Sequence, residues 1–136
     1  MALLGVGEDR NSLNRGSSES PDKIRNQLYQ LYRMNEKVRI IDLGNLKSTG
    51  SLNDTYFGMR DVLLELLNNQ LVVVVMGGMQ DITYGAYMAF ERQKETINVV
   101  TIDSRLDLAE GGSDNIRWME EIMKSPKLFQ YSNLGH

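Results

Sequence analysis

The fold is decided by the stretch "LVVVVMGGMQDITYGAYMAFERQKETINVVTID", residues 71–103. It opens on a run of apolar, mostly β-branched residues, which is typical of a strand buried on both faces of a parallel sheet. Gly77 and Gly78 end this run. The residues that follow predict a helix over 81–94, and "INVVTID" (97–103) predicts the next strand. The stretch is therefore one βαβ unit, and we expect its crossover to be right-handed.

The same alternation continues on both sides of this unit. Strand-like runs occupy 2–7, 37–46 and 128–135, with polar loops at 8–20 and 47–53. Helical periodicity occupies three further segments, 20–32, 54–69 and 113–125. The order β-α-β-α-β-α-β-α-β predicts an α/β fold in which helices cover a parallel sheet.

Helix starts and buried faces follow from local patterns. Ser20 is predicted as an N-cap with Pro21 at the first helical position, and Asp54 as the cap of the second helix. In the third helix, small residues at Gly85, Ala86 and Ala89 permit close packing on the sheet. The predicted buried stripes are Ile24, Leu28, Leu31 and Tyr32, then Tyr56, Met59, Leu63 and Leu66 or Leu67, and last Ile116, Met119, Ile122 and Met123.

Composition narrows the class of protein. The 136 residues suffice for one domain, and 41% hydrophobic with 24% charged residues is typical of a globular protein. A net charge of -3 without basic runs argues against a nucleic-acid partner. The absence of cysteine excludes disulfides, thiolate catalysis and cysteine–zinc sites.

The apolar runs and the ends of the chain give three expectations. Runs such as 71–76 are far too short to span a bilayer, so we expect no membrane partner. The first residues carry no basic region ahead of an apolar one, so we expect a cytoplasmic protein. The chain begins and stops on strand-like runs, and we therefore expect an excerpt of a longer chain.

Three predicted strand ends carry acidic or amide groups, "DLGN" (42–45), "GGMQD" (77–81) and "DSRLD" (103–107). Ligands of open parallel sheets bind beyond the carboxyl ends of the strands. Asp103 and Asp107 have two interpretations, a site for a hard divalent ion or an N-cap beside a solvated loop acid. The single histidine, His136, is the last residue, which excludes a multi-histidine metal site and an internal Ser–His–Asp arrangement.

The glycine pair also has two interpretations. Backbone N–H groups at a helix N-terminus favour anions, so Gly77 and Gly78 are compatible with a phosphate-binding turn. However, Asp81 places negative charge where the phosphate would lie. A turn that brings strand and helix into close contact is the other interpretation.

At "GGMQD" and "VVTIDSRLD" the chain resembles the ureohydrolases, the family of arginases, agmatinases and formimidoylglutamases. Residues 15–32 are similar to the family's glycine-rich loop and first helix, and "DTYFGMRDVLLELL" (54–67) precedes "VVVVMGG" in the family's order. The resemblance is nearest to bacterial arginase- or formimidoylglutamase-like proteins. It implies an arginase-like three-layer α/β/α fold with a mainly parallel sheet, incomplete here, and a single α/β domain over 1–136 that is an N-terminal excerpt.

The family hydrolyses guanidino or formimidoyl C–N bonds with a pair of manganese ions held by three motifs. In this resemblance, Gly77 and Gly78 match the glycines of the first motif, and Asp103 and Asp107 match the aspartate ligands of the second. Gln80 and Arg105 stand where the two motifs have histidine ligands, and Asp81 stands where the first has serine. The third motif, a Ser-x-Asp-x-Asp run, is absent from this sequence.

These departures argue against a di-manganese centre. An amide is a poor replacement for imidazole, and Arg105 is protonated and has no lone pair to donate. A unit charge at about 4 Å costs about 4 kcal/mol at an effective dielectric near 20, and about twice that against a divalent ion. We therefore expect a degenerate metal site, weak or no manganese binding and no catalysis by this chain; no catalytic residue is assigned.

Several alternatives stay open at this stage. Arg105 either folds its guanidinium onto Asp103 and Asp107 in the metal position or lies on the surface. An active hydrolase would use one metal on Asp103 and Asp107, and only then would a small amidine or guanidino substrate apply. A nucleotide or anion binder and a non-catalytic interaction module complete the set. A homo-oligomer is expected in either case, since the family commonly oligomerises and a bare sheet edge associates.

Overall fold

The structure is a computed structural model that describes residues 1–11, 15–31, 37–47, 50–104 and 118–135. Its elements alternate as the sequence predicts. In chain order they are β1 (Ala2–Val6), a 3₁₀ turn (Ser17–Glu19), α1 (Ser20–Leu28), β2 (Ile41–Asn45), α2 (Leu52–Asn68), β3 (Val73–Gly77), α3 (Ile82–Phe90), β4 (Ile97–Ile102), α4 (Trp118–Met123) and β5 (Leu128–Leu134).

All the described strand pairs are parallel, and they form two sheets of order β2-β1-β3 and β4-β5. β1 and β3 run in register from Ala2 opposite Val73 to Val6 opposite Gly77, so their carboxyl ends are level. The βαβ unit predicted over 71–103 is present as β3-α3-β4, but its two strands lie in separate sheets. Succession along the chain does not fix lateral pairing, because a crossover can pass beyond the neighbouring position of a sheet.

Two apolar clusters make up the described core. The larger joins β1 and β3 to α2 and α3 through Leu4, Val6, Met59, Leu63, Ile82 and Ala89. The smaller joins α3 to β4, β5 and α4 around Tyr87, Ile97 and Ile122. The predicted stripe of α2 is confirmed, since Tyr56, Met59 and Leu63 are buried and Leu66 and Leu67 pack against the larger cluster.

The predicted buried face of α1 is wrong at Ile24 and Leu31, whereas Leu28 is half-buried. The helix ends at Leu28, Ile24 is 46% exposed and Leu31, beyond the helix, is 70% exposed; Tyr32 lies outside the described residues. α1 contacts the sheet through its first turn instead, where Pro21 is buried beside Gly5. The N-cap is Glu19 without a side-chain bond, so the predicted Ser20 cap is one residue late.

The cap of α2 also differs from the prediction. Ser51 is the N-cap, and its Oγ accepts from the backbone N–H of Asp54 at 3.1 Å. The Asp54 carboxylate in turn accepts from the Ser51 N–H at 3.1 Å. Asp54 therefore lies one turn inside the helix, because a reciprocal capping box satisfies two free N–H groups where a lone aspartate cap satisfies one.

The last two helices depart from the prediction in their packing. α3 ends at Phe90, and its Gly85 packs against α2 rather than against a sheet: a Cβ there would lie 3.2 Å from Met59 Sδ. In α4, Met119 and Ile122 are buried as predicted and Met123 is 47% exposed. Ile116 lies outside the described residues. Across the described ranges, no helix is both long and apolar enough to cross a bilayer.

Candidate functional site

The loop after β3 lies against the chain that follows β1. The Gly78 N–H donates to Val6 O at 3.0 Å, and the Met79 N–H donates to Glu8 O at 3.0 Å. A Cβ on Gly78 would come within 2.2 Å of Glu8 O, a backbone atom that cannot turn aside. A Cβ on Gly77 would meet Ile82 Cδ1, the tip of a flexible side chain. At Gly77 the close approach is between strand and helix, as that interpretation of the glycine pair expects, whereas at Gly78 it is to the backbone of the chain after β1.

Gln80 and Asp103 are brought together at the tips of β3 and β4. Gln80 Nε2 donates a hydrogen bond to Asp103 Oδ2. Asp103 is held in place by its own backbone, whose N–H donates to Leu134 O of β5 at 3.0 Å. Two positions that the sequence singled out from separate motifs therefore contact each other directly, through an amide and a carboxylate.

Asp81 is buried and engages α2 rather than the solvent, with 3% of its surface exposed. Its Oδ2 accepts from Tyr56 Oη at 2.7 Å, and the Tyr56 ring packs edge-on against Tyr84 with centroids 5.8 Å apart. Burial, and then the neighbouring Asp81 carboxylate, raise the pKa of Tyr56, so the phenol stays a donor. Within the described residues, Asp81 Oδ1 has no hydrogen-bond partner.

A second buried acid, Glu8, lies directly after β1 and was not singled out from the sequence. Its carboxylate is 2.5 Å from Arg10 Nη2 and accepts from Thr55 Oγ1 of α2 at 3.1 Å. Burial raises the pKa of Glu8, but the hydrogen bonds from Arg10 and Thr55 outweigh it, and the net shift is downward. The signal that could have found Glu8 is its place at the carboxyl edge of the sheet.

The described residues supply only part of the ligand set that the sequence resemblance assigns to manganese. At those positions they offer the Asp103 carboxylate and the Gln80 amide; Arg105, Asp107 and His136 lie outside the described residues. Glu8 is paired with Arg10 and Asp81 with Tyr56. In the part of the chain that the structure describes, no cluster of three or more Asp, Glu, His or Cys side chains is arranged to hold a metal, whereas such an ion requires several anionic or imidazole ligands.

The protein is an α/β protein with parallel strands and covering helices. Its loops converge at the carboxyl ends of β1, β3 and β4, where open parallel sheets bind their ligands. The model of the arginase family matches residues 1–120. The chain belongs to the arginase family.

Individual relatives agree with this assignment. A formimidoylglutamase of Rhodococcus jostii is 27% identical over 140 residues, an alignment that covers 95% of this chain and 43% of the relative. Among solved structures, the formimidoylglutamase of Bacillus subtilis matches 98% of this chain and 46% of its own, with 21% identity and a TM-score of 0.82. Trypanosoma cruzi formiminoglutamase with Mn²⁺ matches 97% of this chain and 50% of its own, with 16% identity and a TM-score of 0.86.

These likenesses establish a formimidoylglutamase-like domain and an arginase fold. The chain spans less than half the length of the Rhodococcus jostii relative and half or less of the two solved chains. Of these three proteins, the Trypanosoma cruzi formiminoglutamase is the one described with bound Mn²⁺.

Proposed function

We propose that this chain is a formimidoylglutamase-like domain that keeps the arginase fold but not the two-manganese centre, and that it binds rather than hydrolyses. The observation that carries the proposal is the hydrogen bond from Gln80 Nε2 to Asp103 Oδ2. An amide that donates to the carboxylate gives Asp103 a hydrogen-bond partner where the family would have a metal. Without a metal there is no metal-bound hydroxide to attack an amidine carbon.

The charge balance of the loop supports the same conclusion. A divalent ion needs anionic ligands to offset its charge, and the neighbouring buried acids, Glu8 and Asp81, are already engaged by Arg10 and Tyr56. Arg105 adds a permanent positive charge two residues from Asp103. An active hydrolase with one metal on Asp103 and Asp107 would have to bind the ion beside the Gln80 contact, which engages one of the two oxygens of the Asp103 carboxylate.

The ligand class of the proposed binder comes from the relatives. Those named above are formimidoylglutamases, so a linear amidine of that type is the first ligand to test. Association of copies into a homo-oligomer stays a prediction from the sequence.

Manganese titration by calorimetry, with metal analysis of the purified protein, tests the proposal. The wild-type chain should bind no stoichiometric manganese and release neither urea from arginine nor formamide from formimidoylglutamate. The double variant Gln80→His/Arg105→His restores the family's imidazole ligands and should raise manganese affinity by at least about tenfold. The matched control, Gln30→His/Arg39→His, adds the same two histidines at exposed positions elsewhere and should not.

Stoichiometric tight manganese in the wild type, together with product release, would overturn the proposal in favour of an active hydrolase. Equal manganese affinity in the two double variants would show that histidines added anywhere account for the gain, and the strand-tip assignment would then be wrong.

A further inference from the structure

β2 lies at the end of the three-stranded sheet, and no described strand pairs with its outer edge. The sheet order is β2-β1-β3, so β2 pairs with β1 on one side only. The Ile41 N–H donates to Met1 O at 3.1 Å, on the β1 side. The main-chain groups of successive residues point to opposite sides of a strand, so Asp42 directs its N–H and C=O outward. An edge of this kind is a template for pairing with another strand.

Apolar side chains along this edge would favour such pairing. Ile40 is 57% exposed, Ile41 is 54% exposed and Leu43 is 42% exposed. Two copies of the edge laid side by side would cover these side chains and form main-chain hydrogen bonds as well. We therefore expect the edge to associate with its own kind unless a feature of the strand opposes it.

The strand has such a feature at its next outward position. Asp42 Oδ1 accepts from the Gly44 N–H at 2.8 Å, so this donor is already used within β2 itself. Gly44 has a φ of 74°, in the left-handed region. The strand bulges there, because β2 has one more residue than β1 between the Leu3 and Gly5 pairs of the register. A bulge and a used donor interrupt the regular hydrogen-bond spacing that an added strand requires.

The Asp42 carboxylate is held in this position from α1. Its other oxygen, Oδ2, accepts from Arg25 Nε and from Tyr29 Oη, and Arg25 Nη2 reaches Oδ1 at 3.3 Å. The side chain is 19% exposed. It therefore cannot turn away from Gly44 without losing its contacts with the helix.

We propose that Asp42 blocks the outer edge of β2 against pairing with a second copy of this chain. The blocking contact is the hydrogen bond to the Gly44 N–H, and α1 holds the acceptor in place. Removal of the acceptor frees this N–H for a partner strand. A homo-oligomer of the wild-type chain would then form through another surface. The proposal does not involve Gln80 or Asp103, so it stands independently of the proposed function.

Two substitutions at Asp42 separate the hydrogen bond from the charge. Asp42→Ala removes the acceptor, whereas Asp42→Asn removes the charge and keeps an amide oxygen that can accept from Gly44. Amide exchange followed by NMR, over a wide range of chain concentration, measures pairing at the edge directly. In Asp42→Ala, exchange at Gly44 should slow by at least about tenfold as the concentration rises. In the wild type and in Asp42→Asn it should be independent of concentration, and the Val74 amide, paired with β1, serves as the reference for an intact sheet.

A charge added to the edge separates strand pairing from general aggregation of a destabilised chain. Leu43→Lys, combined with Asp42→Ala, should abolish the concentration dependence, since a lysine on an edge strand opposes pairing. Phe57→Lys, at a similarly exposed apolar position of α2, is the matched control and should leave it unchanged.

Four outcomes would overturn the proposal. They are concentration-dependent slowing at the edge of the wild type, its absence in a folded Asp42→Ala chain, equal effects of the two lysines, and equal behaviour of Asp42→Asn and Asp42→Ala. The last would show that the charge, rather than the hydrogen bond, blocks the edge. If Asp42→Ala does not fold, the wild type and Asp42→Asn still test the proposal, because slowing in either contradicts it.

Discussion

At the residue scale, Asp42 of β2 accepts hydrogen bonds from three neighbouring residues. Arg25 Nε donates to Asp42 Oδ2 at 2.7 Å, and Tyr29 Oη donates to the same oxygen. The Gly44 N–H donates to Asp42 Oδ1 at 2.8 Å. Arg25, followed by Tyr29 and Gly44, lowers the pKa of Asp42 from 3.8 to about 2 against a smaller opposing effect of burial. These polar contacts hold α1 against β2. The apolar side chains predicted to do so, such as Ile24, are exposed instead.

Replacing Asp42 tests these contacts. Its folded pKa is below its unfolded value, so its stabilisation is present above about pH 4 and lost as the pH falls towards about 2. Asp42→Asn should therefore lower the free energy of unfolding by about 1–3 kcal/mol near neutral pH. Urea unfolding at several pH values measures this, and the gap between wild type and variant should close in acid. A gap that is constant with pH would show that the ion pair is not its source.

At the element scale, the site depends on how closely two strand-end loops approach. The backbone after β3 bonds to the backbone after β1 at Gly78 and Met79, which leaves no space for a side chain at Gly78. These backbone contacts fix the position of the loop after β3, and in that position Gln80 forms its hydrogen bond with Asp103.

Gly78→Ala should consequently destabilise the chain by about 1–3 kcal/mol, because the added methyl group collides with Glu8 backbone and the loops must separate. Gly58→Ala is the matched control. There the new methyl group meets Leu46 at an ordinary 3.8 Å inside α2, and alanine should stabilise the helix by about 0.5–1 kcal/mol. Chemical unfolding of both variants measures the two free energies; equal effects at Gly78 and Gly58 would contradict the close approach.

At the scale of the whole molecule, two clusters share one connecting helix. α3 contributes Ile82 and Ala89 to the larger cluster and Tyr87 to the smaller one. Among the described residues, the smaller cluster joins α3 to β4, β5 and α4 through fewer buried side chains than the larger one. We therefore expect the sheet of β4 and β5 to open more readily than the sheet of β1, β2 and β3.

Core truncations in the two clusters test this division. Ile122→Ala removes a side chain that is fully buried in the smaller cluster. It should lower the free energy of unfolding of that part of the chain by about 2–5 kcal/mol. Native-state hydrogen exchange should show faster opening confined to β4, β5 and α4, with β1 and β3 unaffected. Leu63→Ala, in the larger cluster, should instead accelerate exchange throughout the chain. An equal effect of Ile122→Ala on all strands would indicate a single cooperative unit.

Local patterns in the sequence settle the succession of elements, the parallel α/β class, the buried stripe of α2 and the family. These features repeat within a few residues, as in the apolar run of β3, or belong to a contiguous motif such as Gly77-Gly78. The same patterns do not identify the residue that caps α2, and they do not show that the Ile24 side chain is exposed. A cap depends on which of two nearby polar side chains reaches the helix end, and exposure depends on what packs above the helix.

The sequence by itself determined which polar side chains follow the predicted strands, among them Gln80, Asp103 and Arg105, since residue identity needs no structure. Tertiary structure alone decided that Gln80 bonds to Asp103, that Tyr56 holds Asp81, and that Arg10 and Thr55 hold Glu8. It also decided that β3 and β4 stand in separate sheets. The Arg10–Glu8 pair is two residues apart, but the other contacts join distant parts of the chain, and no local propensity encodes those. They follow from the packing of whole strands and helices, which sets the distance between any two side chains.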